Sequence, residues 1–245
     1  LAAKTRSSIR TGELACDVVP SEDHVDVVLV DARSKSARTI RADRVILAVP
    51  RFIASRLLRP WRHNPPADLR EFETSPWLVA NLTLRDRPKN VGFVPAWDNV
   101  IYQSPSLGYV LATHQRGRSF GPTVFTYYYA LTDSDPRRAR EKLFTASRDE
   151  WVEVVLRDLS VAHSDIFDLT QKVDLYRWGH AMVRPRPGFV WGQARRHAAG
   201  PFFGRVHMAH TDLSGVALLE EALTHGVRAA EEVLRGQGRL VDTWL

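Results

Sequence analysis

An imidazole, a hydroxyl and a carboxylate follow one another at His210, Thr211 and Asp212, directly after the mainly apolar residues 206–209. Residues 206–209 are typical of a buried strand. An ionised carboxylate accepts hydrogen bonds and donates none, so Asp212 suits either a sugar hydroxyl or the free N–H groups at a helix end. The residues alone leave both uses open.

A helix is predicted directly after this turn. We expect Ser214-Gly215 to open the helix and Gly236 to close it. Its N-terminus would present free N–H groups and a partial positive charge, and Gly226 would let the helix lie close to a sheet. The apolar residues at helical spacing, which we expect in the core, are Val216, Leu219, Leu223, Val227, Ala230 and Leu234.

Several other kinds of site are not expected. Cys16 is the sole cysteine, which excludes an intrachain disulfide and a thiolate metal cluster. His207 and His210 are three residues apart in a predicted strand, so they should lie on opposite faces, and no metal site is predicted. Arg184 and Arg186 either hold a substrate carboxylate or are solvated.

Composition places the chain among ordinary globular proteins. The 245 residues are 44% hydrophobic and 25% charged, with a formal net charge of +6. Arginines supply most of the positive charge but are scattered, so we expect no nucleic-acid partner. No apolar run reaches the roughly 20 residues of a membrane span. No signal peptide is visible, which carries little weight, and a cytoplasmic location is expected.

The pattern along the chain alternates between two kinds of structure. Short strands are predicted within residues 14–50, ending in an apolar strand at residues 44–49 that Pro50 stops. An antiparallel sheet is predicted from residues 78–84, 100–103, 109–113 and 124–131. A helix is predicted to start at Asp135-Pro136 and to continue an apolar stripe through residues 143–159, followed by strand and loop at residues 173–192.

These elements predict an α/β fold class. Residues 1–54 and 199–245 should form one α/β layer, because the apolar strands at residues 45–49 and 206–209 need a shared sheet for burial. Residues 55–198 should form an inserted α+β domain built on a mixed or antiparallel sheet.

Two segments resemble the flavin-containing amine oxidases. Residues 42–50, ADRVILAVP, are similar to the strand that leaves the FAD domain through a proline. Residues 204–212, GRVHMAHTD, and 219–230, LEEALTHGVRAA, are similar to the terminal strand, turn and helix, where an acidic residue meets the flavin ribityl chain. The resemblance implies FAD as cofactor and a Rossmann-like FAD domain made of residues 1–54 (β-meander and return strand) and 199–245, with a substrate-binding domain at 55–198.

The resemblance also implies which residues contact the cofactor. They are His180, His210, Thr211, Asp212, Ala217, Leu218 and Leu219. Asp212 would bind the ribityl chain, and the helix N-terminus would face the isoalloxazine ring. His180 occupies a position where some relatives attach flavin through a cysteine. Covalent attachment, a polar contact near the flavin and a structural hydrogen bond all remain open for this histidine.

The chain departs from the family pattern at three places. It has no Gly-x-Gly-x-x-Gly loop for the pyrophosphate, so we expect a missing N-terminal FAD-binding segment or a companion chain to complete the site. The two aromatic cage positions are Ala181 and Leu218 here, and no lysine lies within residues 78–84. A simple amine cage is therefore not predicted, and oxidase, dehydrogenase, desaturase and isomerase chemistries stay open.

The function predicted from the resemblance is hydride removal from a small organic substrate to FAD. No catalytic residue is identified, and the isolated chain is expected to be inactive. Two alternatives stay open: a subunit or fragment that completes a flavin site with another chain, and a non-catalytic binding module that retains the fold.

Overall fold

A computed structural model describes residues 6–89, 92, 94–132 and 134–243. The chain divides into two compact units. Unit 1 comprises Leu1–Glu73 and Val183–Leu245, and unit 2 comprises Thr74–Met182.

Ten strands are described in chain order. They are β1 (Glu13–Pro20), β2 (Val25–Asp31), β3 (Ala37–Ala42), β4 (Val45–Leu47), β5 (Thr74–Leu84), β6 (Asp98–Asn99), β7 (Tyr109–Leu111), β8 (Thr123–Ala130), β9 (Thr170–Val183) and β10 (Val206–Met208).

The described α-helices are α1 (Arg51–Leu57), α2 (Arg59–His63), α3 (Pro136–Thr145), α4 (Arg148–Ser160), α5 (Ile166–Leu169), α6 (Gln193–Ala198) and α7 (Leu219–Gly236). Short 3₁₀ turns lie at Arg6–Ser8, Ala67–Glu71, His114–Arg116 and Thr211–Leu213. Among the described helices, none combines the length and apolarity that crossing a membrane requires.

Unit 1 contains two separate sheets. The strands β1, β2 and β3 form an antiparallel meander. Its second turn is closed by Asp31, whose carboxylate accepts hydrogen bonds from the N–H groups of Arg33 at 2.9 Å and Ser34 at 2.7 Å. The strands β4 and β10 pair in parallel, with Val45 opposite Val206. This pairing confirms that the two apolar strands share a sheet.

The last helix differs from its prediction in start and in burial. The 3₁₀ turn at Thr211–Leu213 and a left-handed Gly215 (φ +72°) precede an extended Leu218, so α7 begins at Leu219 rather than at Ser214. The predicted core stripe is wrong for its first turns, because Leu219 is 82% exposed and Leu223 is 58% exposed.

The expected role of Gly226 is also wrong. A Cβ at this position would meet no heavy atom within 4 Å among the described residues, so no close approach requires a glycine there. The side chain that does lie against a glycine of α7 is Arg44. Its guanidinium nitrogens donate to Gly204 O at 2.9 Å and to Gly236 O at 3.0 Å, which ties the C-terminal end of the helix to the strand region.

Unit 2 is built on a five-stranded sheet in the order β6-β7-β8-β5-β9. Alternate residues of its strands face a core shared with α3 and α4. The fully buried residues of β5 are Leu78, Ala80, Leu82 and Leu84. The strand expected at residues 100–103 is wrong: Asp98 and Asn99 pair with β7 instead, and Gln103 has a left-handed φ of +60° that a strand does not allow.

One continuous apolar stripe was expected at residues 143–159, but this region contains the end of α3 and the separately capped α4. Asp135 caps α3 by accepting from the N–H of Arg137 at 2.9 Å, and Pro136 occupies the first helical position as predicted. Ser147 and Glu150 then form a capping box that starts α4. The cap interrupts the helix because the Ser147 side chain takes over the N–H group of Glu150.

The other face of the unit 2 sheet carries exposed aromatic residues on β9. Val173 and Leu175 pack with the core, so the alternate positions point to the opposite face. Tyr176 is 47% exposed and Trp178 is 55% exposed on that face.

The described chain is therefore a mixed α/β structure with antiparallel sheets. The compact units change at Glu73/Thr74 and at Met182/Val183, whereas the predicted domain limits were 54/55 and 198/199. The Rossmann-like character of the first layer, the inserted domain and the division of roles between cofactor and substrate domains stay predictions.

Leu159→Ala removes a fully buried side chain from the core of unit 2. We expect the free energy of unfolding to fall by about 2–5 kcal/mol, because the lost packing leaves a cavity. Val161 is 73% exposed, so Val161→Ala is the control and should change the free energy by less than about 0.5 kcal/mol. Urea titration followed by circular dichroism measures both, and equal losses would contradict this core.

Candidate functional site

Asp212 lies beside the N-terminus of α1. The parallel pairing of β4 and β10 places the ends of both strands together, and Ala209 N donates to Leu47 O at 2.9 Å. The chain then enters α1 on one side and the Thr211–Leu213 turn on the other. Asp212 is 4% exposed, and its Oδ2 accepts a hydrogen bond of 2.8 Å from the backbone N–H of Arg51.

This contact changes the capping interpretation of Asp212. The carboxylate caps α1, which lies 161 residues earlier in the chain, and not the helix that follows it. A carboxylate offers about four lone-pair sites, so the Arg51 N–H leaves acceptor capacity. Asp212 Oδ1 lies 3.1 Å from His210 Nδ1, and Asp212 N donates to the same ring nitrogen at 3.1 Å. The carboxylate can therefore accept a further hydrogen bond from a hydroxyl group.

The side chain of Arg51, whose backbone N–H binds this carboxylate, is fully buried. Its guanidinium lies over the rings of Trp61 at 4.7 Å, Phe72 at 5.2 Å and Phe202 at 5.3 Å. An oxygen of Asp68 is 3.5 Å away. Burial lowers the pKa of Arg51, and the charges of Asp68 and Asp212 oppose that shift.

Arg51 was not predicted from the sequence. Its aromatic partners come from three separate segments of unit 1, and an arginine directly after Pro50 resembles a surface residue. Within the described chain, none of its three guanidinium nitrogens has a hydrogen-bond partner. A buried cation without hydrogen-bond partners is costly, and the cost at Arg51 is offset by its aromatic neighbours and by the charges of Asp68 and Asp212.

A hydrogen-bonded network connects the turn at Thr211–Leu213 and the following Ser214 with α7. Ser214 is buried, its Oγ lies 2.8 Å from His225 Nε2, and it donates to a carboxylate oxygen of Glu221. Arg228 Nε donates to His225 Nδ1 at 3.4 Å, so this ring nitrogen accepts and Nε2–H faces Ser214. Burial lowers the pKa of His225, and the charge of Arg228 adds to the shift.

Arg228 and Glu232 extend this network to β10. Arg228 donates to Met208 O and to Glu232, whose second oxygen lies 2.9 Å from His207 Nδ1. His207 is 2% exposed, whereas His210 lies beyond the end of β10. The assumption that both histidines share one strand is therefore wrong. No group of three metal-ligating side chains is present among the residues that the structure describes.

The predicted helix N-terminus lies four to five residues later than expected. The N–H groups of Ser214 and Gly215 donate to the carbonyls of Thr211 and Asp212, at 3.0 and 3.1 Å. The first free turn is instead at Leu219–Glu221, after an extended Leu218 whose side chain makes no cap. Leu218 is 53% exposed, while Ala217 is half-buried. Cofactor contacts at these positions stay predictions.

Each of the remaining candidate site residues contacts a side chain of its own unit. His180 is in unit 2, where its Nδ1 lies 2.8 Å from Thr74 Oγ1, and its predicted proximity to flavin stays a prediction. Arg184 and Arg186 form ion pairs with Glu73 at 3.1 Å and Glu71 at 3.2 Å. These two arginines therefore already have carboxylate partners within unit 1.

Comparison with known proteins identifies the family and the fold. The profile of the flavin containing amine oxidoreductases matches residues 1–234. Cyclohexylamine oxidase from Brevibacterium oxydans IH-35A has a similar solved structure, with a TM-score of 0.58 and 13% sequence identity over 92% of this chain. The chain spans about half of that enzyme, 49% of its length. No curated protein matches the sequence significantly.

The lowered pKa of His225 predicts a pH-dependent stability. The unfolded chain takes up a proton near the ordinary pKa of 6.5, whereas the folded chain resists protonation at this site. The free energy of unfolding should therefore fall as pH drops below this value. His225→Gln should make the fall shallower without abolishing it, because burial lowers the pKa of His163 in the same direction.

Urea denaturation between pH about 7.5 and about 5 measures this slope. Thr224→Ala is the control, because Thr224 is an exposed neighbour on the same helix. An unchanged slope in His225→Gln would show that His225 does not resist protonation in the folded chain.

Proposed function

Since the chain belongs to the flavin containing amine oxidoreductase family, whose cofactor is FAD, we propose that it forms part of an FAD-dependent oxidoreductase. The proposed reaction is removal of a hydride from a small organic substrate. The observation that supports it most directly is the buried carboxylate of Asp212 at the end of the β4–β10 pair, with acceptor capacity left over.

The residues of unit 1 would line one side of an FAD molecule. Asp212 would accept a hydrogen bond from a ribityl hydroxyl while Arg51 N–H holds its other oxygen. The first turn of α7 at Leu219–Glu221 would direct free N–H groups at the ring system. Bound FAD supplies the hydride acceptor. Free N–H groups at a helix end beside the ring would stabilise the negative charge that develops during transfer.

The network of Ser214, Glu221 and His225 would hold the Asp212 carboxylate and the N-terminus of α7 in fixed positions. Ser214 follows Asp212 by two residues, while Glu221 lies in the first turn of α7. Their hydrogen bonds therefore connect the carboxylate and the helix N-terminus directly. Preorganised donors and acceptors of this kind contribute to catalysis because they need no rearrangement during the reaction.

We further propose that a phosphate-binding segment, on the same or a companion chain, completes unit 1. Parallel strands are ordinarily buried on both faces within larger sheets, yet β4 pairs with β10 in a two-stranded sheet and Ile46 is 39% exposed. The exposed Leu219 and Leu223 of α7 support the same proposal. An apolar surface of this kind gains stability when another element covers it.

Unit 2 is proposed to bind the substrate. Tyr176 and Trp178 on the free face of β9 offer an apolar, aromatic surface, and His180 follows on the same strand face. Ala181 replaces an aromatic cage residue and β5 contains no lysine, so the proposal is limited to hydride removal and does not specify oxygen as electron acceptor.

FAD binding by this chain alone should be weak. The sequence offers no glycine-rich loop to donate backbone N–H groups to the pyrophosphate. We expect a dissociation constant above about 10 µM, because much of the binding energy of a dinucleotide comes from its phosphates. Equilibrium dialysis of residues 1–245 against FAD measures it, and micromolar or tighter binding would contradict the proposal of a completing segment.

Asp212→Ala tests the carboxylate in a protein that contains the completing segment. We expect roughly ten- to hundredfold weaker FAD binding, equivalent to about 1.5–3 kcal/mol, because a charged acceptor is lost. The buried Arg51 N–H also loses its acceptor, so apo-protein stability should fall by about 1–3 kcal/mol.

Asp212→Asn separates the two effects. Asparagine retains an acceptor for the Arg51 N–H but not the charge, so stability should largely recover while FAD affinity stays reduced. Asp242→Ala, at an exposed position, is the control. FAD titrations and melting curves of the apo-proteins measure both quantities. Unchanged FAD affinity in both Asp212 variants would leave Asp212 as a cap of α1 only.

A further inference from the structure

A cavity lies within unit 2, on the core side of its sheet. Its volume is about 330 Å³, which is in the range of small-molecule pockets. The buried residues Leu111 and Phe125 form part of its lining, and both belong to the hydrophobic core of this unit. The exposed Tyr176 and Trp178 lie on the opposite face of the sheet. The cavity is therefore separate from the proposed substrate surface.

Arg87 is held in the cavity wall by a buried hydroxyl group. Its guanidinium NH2 donates to Thr113 Oγ1 at 3.3 Å, and this hydroxyl lies 2.5 Å from Thr123 Oγ1. Both threonines are buried. The Nε of Arg87 is buried too and has no hydrogen-bond partner in the described part of the chain. Because Nε is enclosed, an anion in the cavity would be bound by the terminal nitrogens of this fixed guanidinium.

Two further basic side chains line the same cavity. His114 lies on the 3₁₀ turn at His114–Arg116, and Arg118 follows Gly117, whose left-handed φ of +64° reverses the chain. Among the described residues, no carboxylate lies within ion-pair distance of Arg87, His114 or Arg118. The nearby Asp86 uses one oxygen to accept the N–H groups of Arg87 at 2.8 Å and Gly121 at 3.1 Å.

We propose that this cavity binds a small organic carboxylate with an apolar body. The guanidinium groups of Arg87 and Arg118 would hold the carboxylate, since a planar fork of N–H donors matches its two oxygens. The apolar body would cover Val94 and Pro95 in the cavity lining, which a simple inorganic anion cannot do. The proposal concerns a site other than the proposed flavin site and does not depend on FAD.

Calorimetric titration of the 245-residue chain with benzoate, benzamide and inorganic phosphate tests the ligand class. We expect saturable benzoate binding, at least about tenfold weaker binding of the uncharged benzamide, and at least about tenfold weaker binding of phosphate, which lacks the apolar body. Failure of benzoate to bind would overturn the proposal. Equal affinity for benzamide or for phosphate would overturn it as well.

Charge-removing variants locate the site. Arg87→Met and Arg118→Met should each weaken benzoate binding at least about tenfold, because a charge-assisted hydrogen bond is lost. Arg33→Met removes an equal charge from an exposed turn of unit 1 and should leave binding unchanged. Arg118 is exposed, so its variant should fold even if Arg87→Met does not. Wild-type affinity in folded Arg118→Met, or an equal loss in Arg33→Met, would contradict this location.

Discussion

The parallel pairing of β4 with β10 is the contact on which the candidate site depends. Three residue pairs, from Val45 with Val206 to Leu47 with Met208, join segments at opposite ends of unit 1. This pairing brings Asp212 to the N-terminus of α1, although the two contacting residues are 161 positions apart in the chain. Val206 and Met208 are fully buried, so the hydrophobic effect that buries this strand also determines the position of the carboxylate.

The site places opposite charges together in a buried environment. Arg51 is surrounded by aromatic rings, and Asp212 sits at the N-terminus of the helix that begins with this same arginine. Buried charges of this kind are rarely the most stable choice, because apolar residues of similar size often serve stability better. Their presence is consistent with a functional requirement for a fixed carboxylate.

The two faces of the unit 2 sheet carry different side chains, because alternate residues of a strand point to opposite faces. One face of the sheet supplies the core with α3 and α4, while the other exposes aromatic side chains on β9. The basic cavity lies at the edge of the core face, where β7 and β8 meet the His114–Arg116 turn. A single sheet thus presents an aromatic surface and a positively charged cavity that do not share residues.

Local sequence signals determined most of the element identities. The helix start at Asp135-Pro136 and the apolar strands β4 and β10 follow from short-range preferences, and so they were predicted correctly. The resemblance of residues 204–230 likewise identified the family, because the strand, turn and helix are contiguous in the chain. Asp212 was recognised as important for the same reason.

Tertiary structure decided what each of these residues contacts. The sequence could not indicate that Asp212 caps α1, or that Arg51 is enclosed by Trp61, Phe72 and Phe202, because these contacts join distant segments. Helical spacing places Leu219 and Leu223 on one apolar side of the helix, but it does not specify what packs against that side. Periodicity records which side chains share a face, whereas burial depends on what packs against that face.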